Sequence, residues 1–341
     1  MTHHEKGHRS YNERCRKNGT RLGAVSLGLV GLIAADYAAI HREQGRRNDR
    51  AEVISNIRPG NYSVLVVPGY HADGRVLAKN FDRHIEHLGA THYIVHPEKG
   101  MKIDSYKEAI LKARKADGYR PLLVYALSMG ALLDAKIASD DMVRAEIGEI
   151  KRKVIDSGLS GRGDLSIMSR LGILAGTLLP VTFSTDQVYH FVNQLGLDEE
   201  HLDYDPELVL REEVVERIRS TRKVRYAAAK GQLPFMHRED VMKMDLRVAG
   251  AEIEDGIIYL SSQNDHLVNT RRSVQQYSKA YGRPVDFRID LNRKERSHAT
   301  GPENPREVIR ALSQSYSDGY TPYDLYKMID KCRQKKQEET A

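Results

Sequence analysis

Cysteine is scarce in this 341-residue chain: Cys15 and Cys332 are the only two, one in a polar N-terminal arm and one in a charged tail. That pair builds neither a disulfide framework nor a thiolate metal cluster, and it says little about redox compartment. A charge imbalance is missing from the body as well. The net charge is +6, yet residues 1–50 alone carry 10 Lys/Arg against 5 Asp/Glu, so the remainder is close to neutral. No basic stripe interleaved with aromatic residues occurs in that remainder, which argues against nucleic acid as a partner. No internal repeat is visible. With 40% hydrophobic and 29% charged residues, the bulk reads as globular and soluble rather than disordered. The length suits one large α/β domain with an insertion, or two small domains.

One uncharged run stands out, "LGAVSLGLVGLIAA" at 22–35, which continues past Asp36 to Ile40. Arg14, Arg16, Lys17 and Arg21 precede it, and Arg42, Arg46, Arg47 and Arg50 follow. Residues 22–40 reach the ~20 residues that a bilayer-spanning helix needs, with Asp36 placed near an interface where a carboxylate costs less. A secretory signal also has a basic flank and an apolar core, but no small-x-small pair ends this run. A helix docked on the domain is the third reading. The expectation is an N-terminal membrane anchor, hence a membrane-associated protein, with cytoplasmic or secreted locations as alternatives. Basic residues on both sides leave its orientation unset. Residues 41–60 read as a polar linker.

From residue 61 strand-like and helix-like stretches alternate. "YSVLVV" (62–67), "HYIVH" (92–96), "PLLVYAL" (121–127) and "RKVIDSG" (152–158) read as strands, with helical spacing over 75–89, 105–118 and 129–139 between them. Residues 163–250 break the rhythm and are largely helical in pattern. It then resumes with strands "GIIYLSS" (256–262) and "VDFRIDL" (285–291) and helices over 271–282 and 306–319. Such alternation predicts the α/β class, a doubly wound, mostly parallel sheet with helices on both faces, interrupted by a helical cap. The expected divisions are an arm at 1–50, a first core part at 51–162, a cap at 163–250 and a second core part with a charged tail at 251–341.

The stretch "ALSMG" (126–130) ends one apolar strand and opens a helix. A lone Ser128 there, with small residues two positions away on each side, fits a sharp strand-to-helix turn that holds a nucleophile in the open. Serine needs a base to act. Asp265 follows the strand "GIIYLSS", and His298 follows "VDFRIDL". Asp156 in "VIDSGLSG" is a rival acid, also just past a strand. His71, in "GYHADG", is a candidate substrate contact or a surface loop residue, and His266 reads as a neighbour of the acid. The pairs His84/His87 and His92/His96 have no evident third ligand, and the helix-spaced first pair is expected to face solvent. No metal and no cofactor is expected.

The chain order Ser128, Asp265, His298, each on a loop after its own strand, resembles the α/β-hydrolase superfamily over residues 61–320. "VLVVPGYHADG" resembles that family's first core strand and oxyanion turn, "ALSMG" the elbow, "SSQNDHLVN" the acid loop and "SHAT" the histidine loop. Pro68 and Ala126 depart from the residues common at those places, and neither removes a reacting group. The resemblance implies that Ser128 attacks an acyl carbonyl, His298 relays the proton and Asp265 orients His298. The backbone N–H groups of Met129 and Tyr70 would form the oxyanion hole. Residues 163–250 would be a lid, with Leu174 and Phe183 in apolar stretches suited to substrate. The function so implied is cleavage of a carboxylic ester, small or lipid-like, through an acyl-enzyme. An acyltransferase or thioesterase would use the same triad, and a membrane-tethered binding protein with an idle triad is the non-enzymatic alternative.

Overall fold

Runs such as YSVLVV and LLVYAL can be buried on both faces only inside a sheet that has helices above and below it. A computed structural model of the chain describes residues 49–97, 100–165, 170, 203–223, 226–294 and 297–313. Among these, seven strands form one sheet: β1 (Glu52–Asn56), β2 (Tyr62–Val67), β3 (Gly89–Val95), β4 (Leu122–Leu127), β5 (Ile150–Asp156), β6 (Ile257–Ser261) and β7 (Val285–Ile289). The spatial order is β1-β3-β2-β4-β5-β6-β7. β1 runs antiparallel to β3, and every other neighbouring pair is parallel. The helices are α1 (Gly74–Asn80), α2 (Asp82–Ile85), α3 (Ile103–Asp117), α4 (Met129–Ala138), α5 (Asp141–Ile147), α6 (Arg211–Lys223), α7 (Tyr226–Arg238), α8 (Arg247–Glu252), α9 (Thr270–Tyr281) and α10 (Pro305–Ser313). The doubly wound, mostly parallel sheet expected from the sequence is thus present.

Alternation along each strand divides the core in two. Leu65, Val67, Val124, Ala126 and Tyr259 face α3, α4, α5, α8 and α9. Val64, Val66, Leu123, Leu127 and Leu260 face α1, α2 and α10. Helix α9 shows how local sequence sets an element. Ser273, Tyr277, Ala280 and Tyr281 form its buried stripe, the Asn269 side chain caps its N-terminus, and Gly282 ends it at φ 65. The helices α6, α7 and α8 belong to the insertion between β5 and β6, and Leu233 and Phe235 of α7 reach into the first core layer.

Two expectations are corrected. Residues 52–56, read as linker, form β1, an edge strand whose only apolar side chains are Val53 and Ile54. It is held by pairing to β3 from Glu52↔Val95 to Asn56↔Thr91, and backbone pairing leaves little trace in hydrophobic periodicity. His84, expected to face solvent, is buried at 4% exposure, because the helical run over 75–89 breaks at Phe81 and turns inward. Among the described residues no helix is long and apolar enough to cross a membrane. Residues 22–40 lie outside them.

Beneath the elbow helix α4 the core holds a charge. Lys153 on β5, 1% exposed, donates to Asp134 of α4 at 2.6 Å, with its ammonium 5.6 Å from the Tyr281 ring centroid. Burial alone would lower the Lys153 pKa, but Asp134 and Tyr281 outweigh it and the net shift is upward. Removing one partner strands the other charge in the core. Lys153→Met is therefore expected to cost about 3–5 kcal/mol in urea unfolding, and the double variant with Asp134→Leu to recover most of that loss.

Candidate active site

The turn at Ser128 is strained. Its backbone sits at φ 49, ψ −117 between β4 and α4, a conformation that costs a side-chain-bearing residue on the order of 1–3 kcal/mol. Surrounding bonds hold it there: Ser128 N–H donates to Asp156 O at 2.9 Å, and Leu159 N–H donates to Ser128 O at 3.1 Å. Close approach explains the small neighbours. A Cβ on Gly130 would lie 2.2 Å from Val67 O, and one on Gly69 would lie 3.1 Å from Ser128 Cβ. Ala126, buried within β4, is accommodated where the pattern usually has glycine. Gly130→Val is expected to destabilise the fold by more than a typical surface change, about 3 kcal/mol or more by urea unfolding, since the clash is with backbone.

Two loops bring partners to Ser128. Past β6, Asp265 accepts from Leu267 N–H at 2.9 Å and Val268 N–H at 3.1 Å, which fixes its carboxylate in a tight turn. Past β7, His298 stands with Nδ1 2.8 Å from Asp265 Oδ2 and Nε2 2.8 Å from Ser128 Oγ. A carboxylate can only accept, so Nδ1 carries the proton and Nε2 is left to accept from the serine hydroxyl. Burial pushes the Asp265 pKa up, but the charge and hydrogen bond of His298 and the two amides outweigh it, and the net shift is downward. A folded-state pKa below the unfolded value adds stability above the unfolded pKa, about 3.9 for aspartate, and that stability is lost as pH falls through the folded value. The melting temperature of the wild type is therefore expected to fall more steeply below about pH 4 than that of Asp265→Asn, as read by calorimetry across pH.

Met129 is the first residue of α4, where a helix leaves its N–H groups without intrahelical acceptors. Tyr70 and His71 occupy a turn closed by Ala72 N–H to Gly69 O at 3.2 Å, with His71 at φ 60. His71 N–H donates to Gln232 Oε1 of α7 at 3.1 Å, so an insertion helix braces this turn. His96 braces it from the sheet, with Nε2–H donating to Pro68 O at 3.0 Å and Nδ1 accepting from the Tyr106 hydroxyl at 3.0 Å. Burial holds the pKa of His96 down at about 4, so it is neutral there. The His266 ring lies 6.4 Å from that of His298. Leu174 and Phe183 lie outside the described residues. His92 bonds Asp117 at 2.6 Å and Ser55 at 2.9 Å, and among the described residues no three His, Cys, Asp or Glu side chains gather as a metal site.

The rival acid, Asp156, is engaged elsewhere. It is fully buried, takes Arg293 on both oxygens at 2.5 and 2.9 Å, and also accepts from the Tyr125 hydroxyl at 2.7 Å and Gly301 N–H at 3.1 Å. Arg293 and Gly301 flank His298 in the chain, so Asp156 anchors the histidine loop to the sheet. Sequence reasoning missed Arg293, Gln232 and this anchoring role; the buried arginine reads in "NRKERSHAT" as one more surface charge.

No protein-family model and no curated protein matches the chain in sequence. Solved structures do match it in shape. An esterase from a Rhodococcus species is 12% identical with a TM-score of 0.52, covering 79% of this chain and 99% of its own. A hydrolase from Pseudomonas aeruginosa is 15% identical with a TM-score of 0.50, covering 77% of this chain and 92% of its own. At such identities the likeness is one of fold.

Proposed function

We propose that this chain, which has the α/β-hydrolase fold with a helical cap insertion, is a serine hydrolase that cleaves a carboxylic ester through an acyl-enzyme on Ser128. One observation carries the reading: the unbroken relay from Ser128 Oγ through His298 to Asp265, with both links at 2.8 Å. It sits at the carboxyl ends of β4, β6 and β7, where open α/β sheets gather ligand groups.

The steps follow from that geometry. His298 Nε2 takes the Ser128 proton as Oγ bonds to the ester carbonyl carbon, and the carbonyl π electrons move onto oxygen. Asp265 stabilises the imidazolium without itself taking the proton. The tetrahedral oxyanion would be met by the N–H groups of Met129 and Tyr70. The imidazolium then protonates the departing alkoxide as the C–O bond breaks. Water, deprotonated by the same nitrogen, attacks the acyl carbon, and as the C–Oγ bond breaks the imidazolium returns that proton to Ser128 Oγ. The strained elbow supports this reading, because such strain persists where a site needs it. Convergence of the three side chains favours catalysis over an idle triad.

A series of p-nitrophenyl esters with acyl chains from two to twelve carbons tests the proposal and places the substrate between small and lipid-like. Saturable turnover in the wild type, lost in His298→Ala, is the expected result. A folded wild type inert across the series speaks for a non-catalytic role. As to location, residues 22–40 would tether the domain to a bilayer. The full chain is then expected to sediment with membranes, and a chain beginning at residue 51 to remain in the supernatant.

A further inference from the structure

The loop carrying His298 runs from the end of β7 to the start of α10, and two sides hold it. From the sheet come the Asp156 bonds to Arg293 and Gly301, and Ser262 Oγ, which donates to Ser297 O at 2.6 Å. The other side is the insertion. Asp203, within it, accepts Lys294 N–H on Oδ1 at 3.2 Å and the Thr300 hydroxyl on Oδ2 at 3.1 Å. Its own carbonyl accepts from Asn304 Nδ2 at 3.3 Å. One carboxylate therefore spans the loop, gripping it before His298 and after it. The seam continues with Asp205 N–H to Glu303 O at 2.8 Å, Asp205 with Arg306, and Arg217 with Glu303.

The grip falls where the loop is strained. Ala299, between His298 and Thr300, has φ 48, a conformation that an alanine keeps only when its surroundings over-determine it. Thr300 is thus the first held point beyond the strained residue, and Asp203 is what holds its hydroxyl. A general base must stay within a few tenths of an ångström of its productive position.

We propose that Asp203 is a positioning residue for His298, so that the cap insertion sets the imidazole over Ser128 as well as covering the fold. This rests on the reading of His298 as the catalytic base. Asp203→Ala releases both grips at once. Asp203→Asn keeps an oxygen for Lys294 N–H, and the Thr300 hydroxyl can turn to accept from the new amide. Geometry, not charge, is the operative feature.

The test uses the full chain, a p-nitrophenyl ester and a fluorophosphonate probe of Ser128. Asp203→Ala is expected to lower kcat roughly 10- to 100-fold with KM changed less than threefold, and to slow phosphonylation in parallel. Asp203→Asn is expected to recover most of that loss, and Thr300→Val to fall between. Since Asp203→Ala also loosens a structural seam, Thr300→Val, which removes a single hydroxyl, provides the reading if the alanine variant melts at assay temperature. Wild-type kcat and labelling rates in both Asp203→Ala and Thr300→Val would overturn the proposal, as would an Asn variant no better than Ala. A wild type that fails to label at all would instead remove the catalytic reading on which it rests.

Discussion

Ser128→Ala is expected to lower kcat for ester hydrolysis by on the order of 10⁴- to 10⁶-fold while leaving the unfolding curve close to that of the wild type. The size follows from what is removed. The hydroxyl is the only atom in the relay that bonds to the acyl carbon, and without it the site retains the oxyanion donors and substrate binding alone. The small effect on stability follows from the contacts. The Ser128 hydroxyl's hydrogen bond runs to His298, while the turn is held by backbone bonds from Ser128 to Asp156 and Leu159, which alanine keeps. Steady-state kinetics beside urea unfolding separates the two. A variant that keeps more than about a hundredth of wild-type kcat would contradict the assignment of Ser128 as nucleophile.

Asp265→Asn and Asp156→Asn should fail in different ways, and the contrast assigns the acid. Asparagine at 265 keeps the shape but can donate to His298 Nδ1, which favours the tautomer with the proton on Nε2, facing Ser128. The expected result is a fall in kcat of about 10⁴-fold with KM little changed. At 156 the lost carboxylate is the partner of Arg293, whose side chain is fully buried. Breaking one side of such a pair costs about 3–5 kcal/mol, so the Asp156→Asn midpoint in urea should drop and its activity should follow the folded fraction. Were Asp156→Asn to stay stable and lose its kcat selectively, the two acids would have to exchange roles.

The two acids also show where sequence stops being informative. Asp156 ends β5 and Asp265 follows β6, so both stand at a strand's carboxyl end and the local pattern admits either. What separates them is Arg293, distant in sequence, which occupies both Asp156 oxygens. Long-range pairing of that kind leaves no local pattern. Ser128, Asp265 and His298 are legible as a group for the opposite reason: Ser128 directly follows the buried run of β4, Asp265 follows the buried β6 by a short loop, and His298 follows the half-exposed edge strand β7 by a longer one, in an order that local pattern makes visible. The all-buried β4 and β6, and β2, buried beyond Tyr62, are legible in the same way. The edge strand β1 is not, because half-exposed residues in backbone pairing look like linker. Likewise "DYDPEL" reads as a charged stretch of the insertion, and nothing local in it marks Asp203 as a partner of Lys294 and Thr300.

The central claim is that Ser128 is a nucleophile activated by His298. Its most direct measurement is fluorophosphonate labelling of the folded full chain, with the adduct mapped to a peptide by mass spectrometry. The account predicts a single adduct on Ser128 in the wild type and none in Ser128→Ala, with labelling of His298→Ala slowed by a thousandfold or so. A folded wild type that takes up no probe, or an adduct on another residue that survives Ser128→Ala, would contradict it.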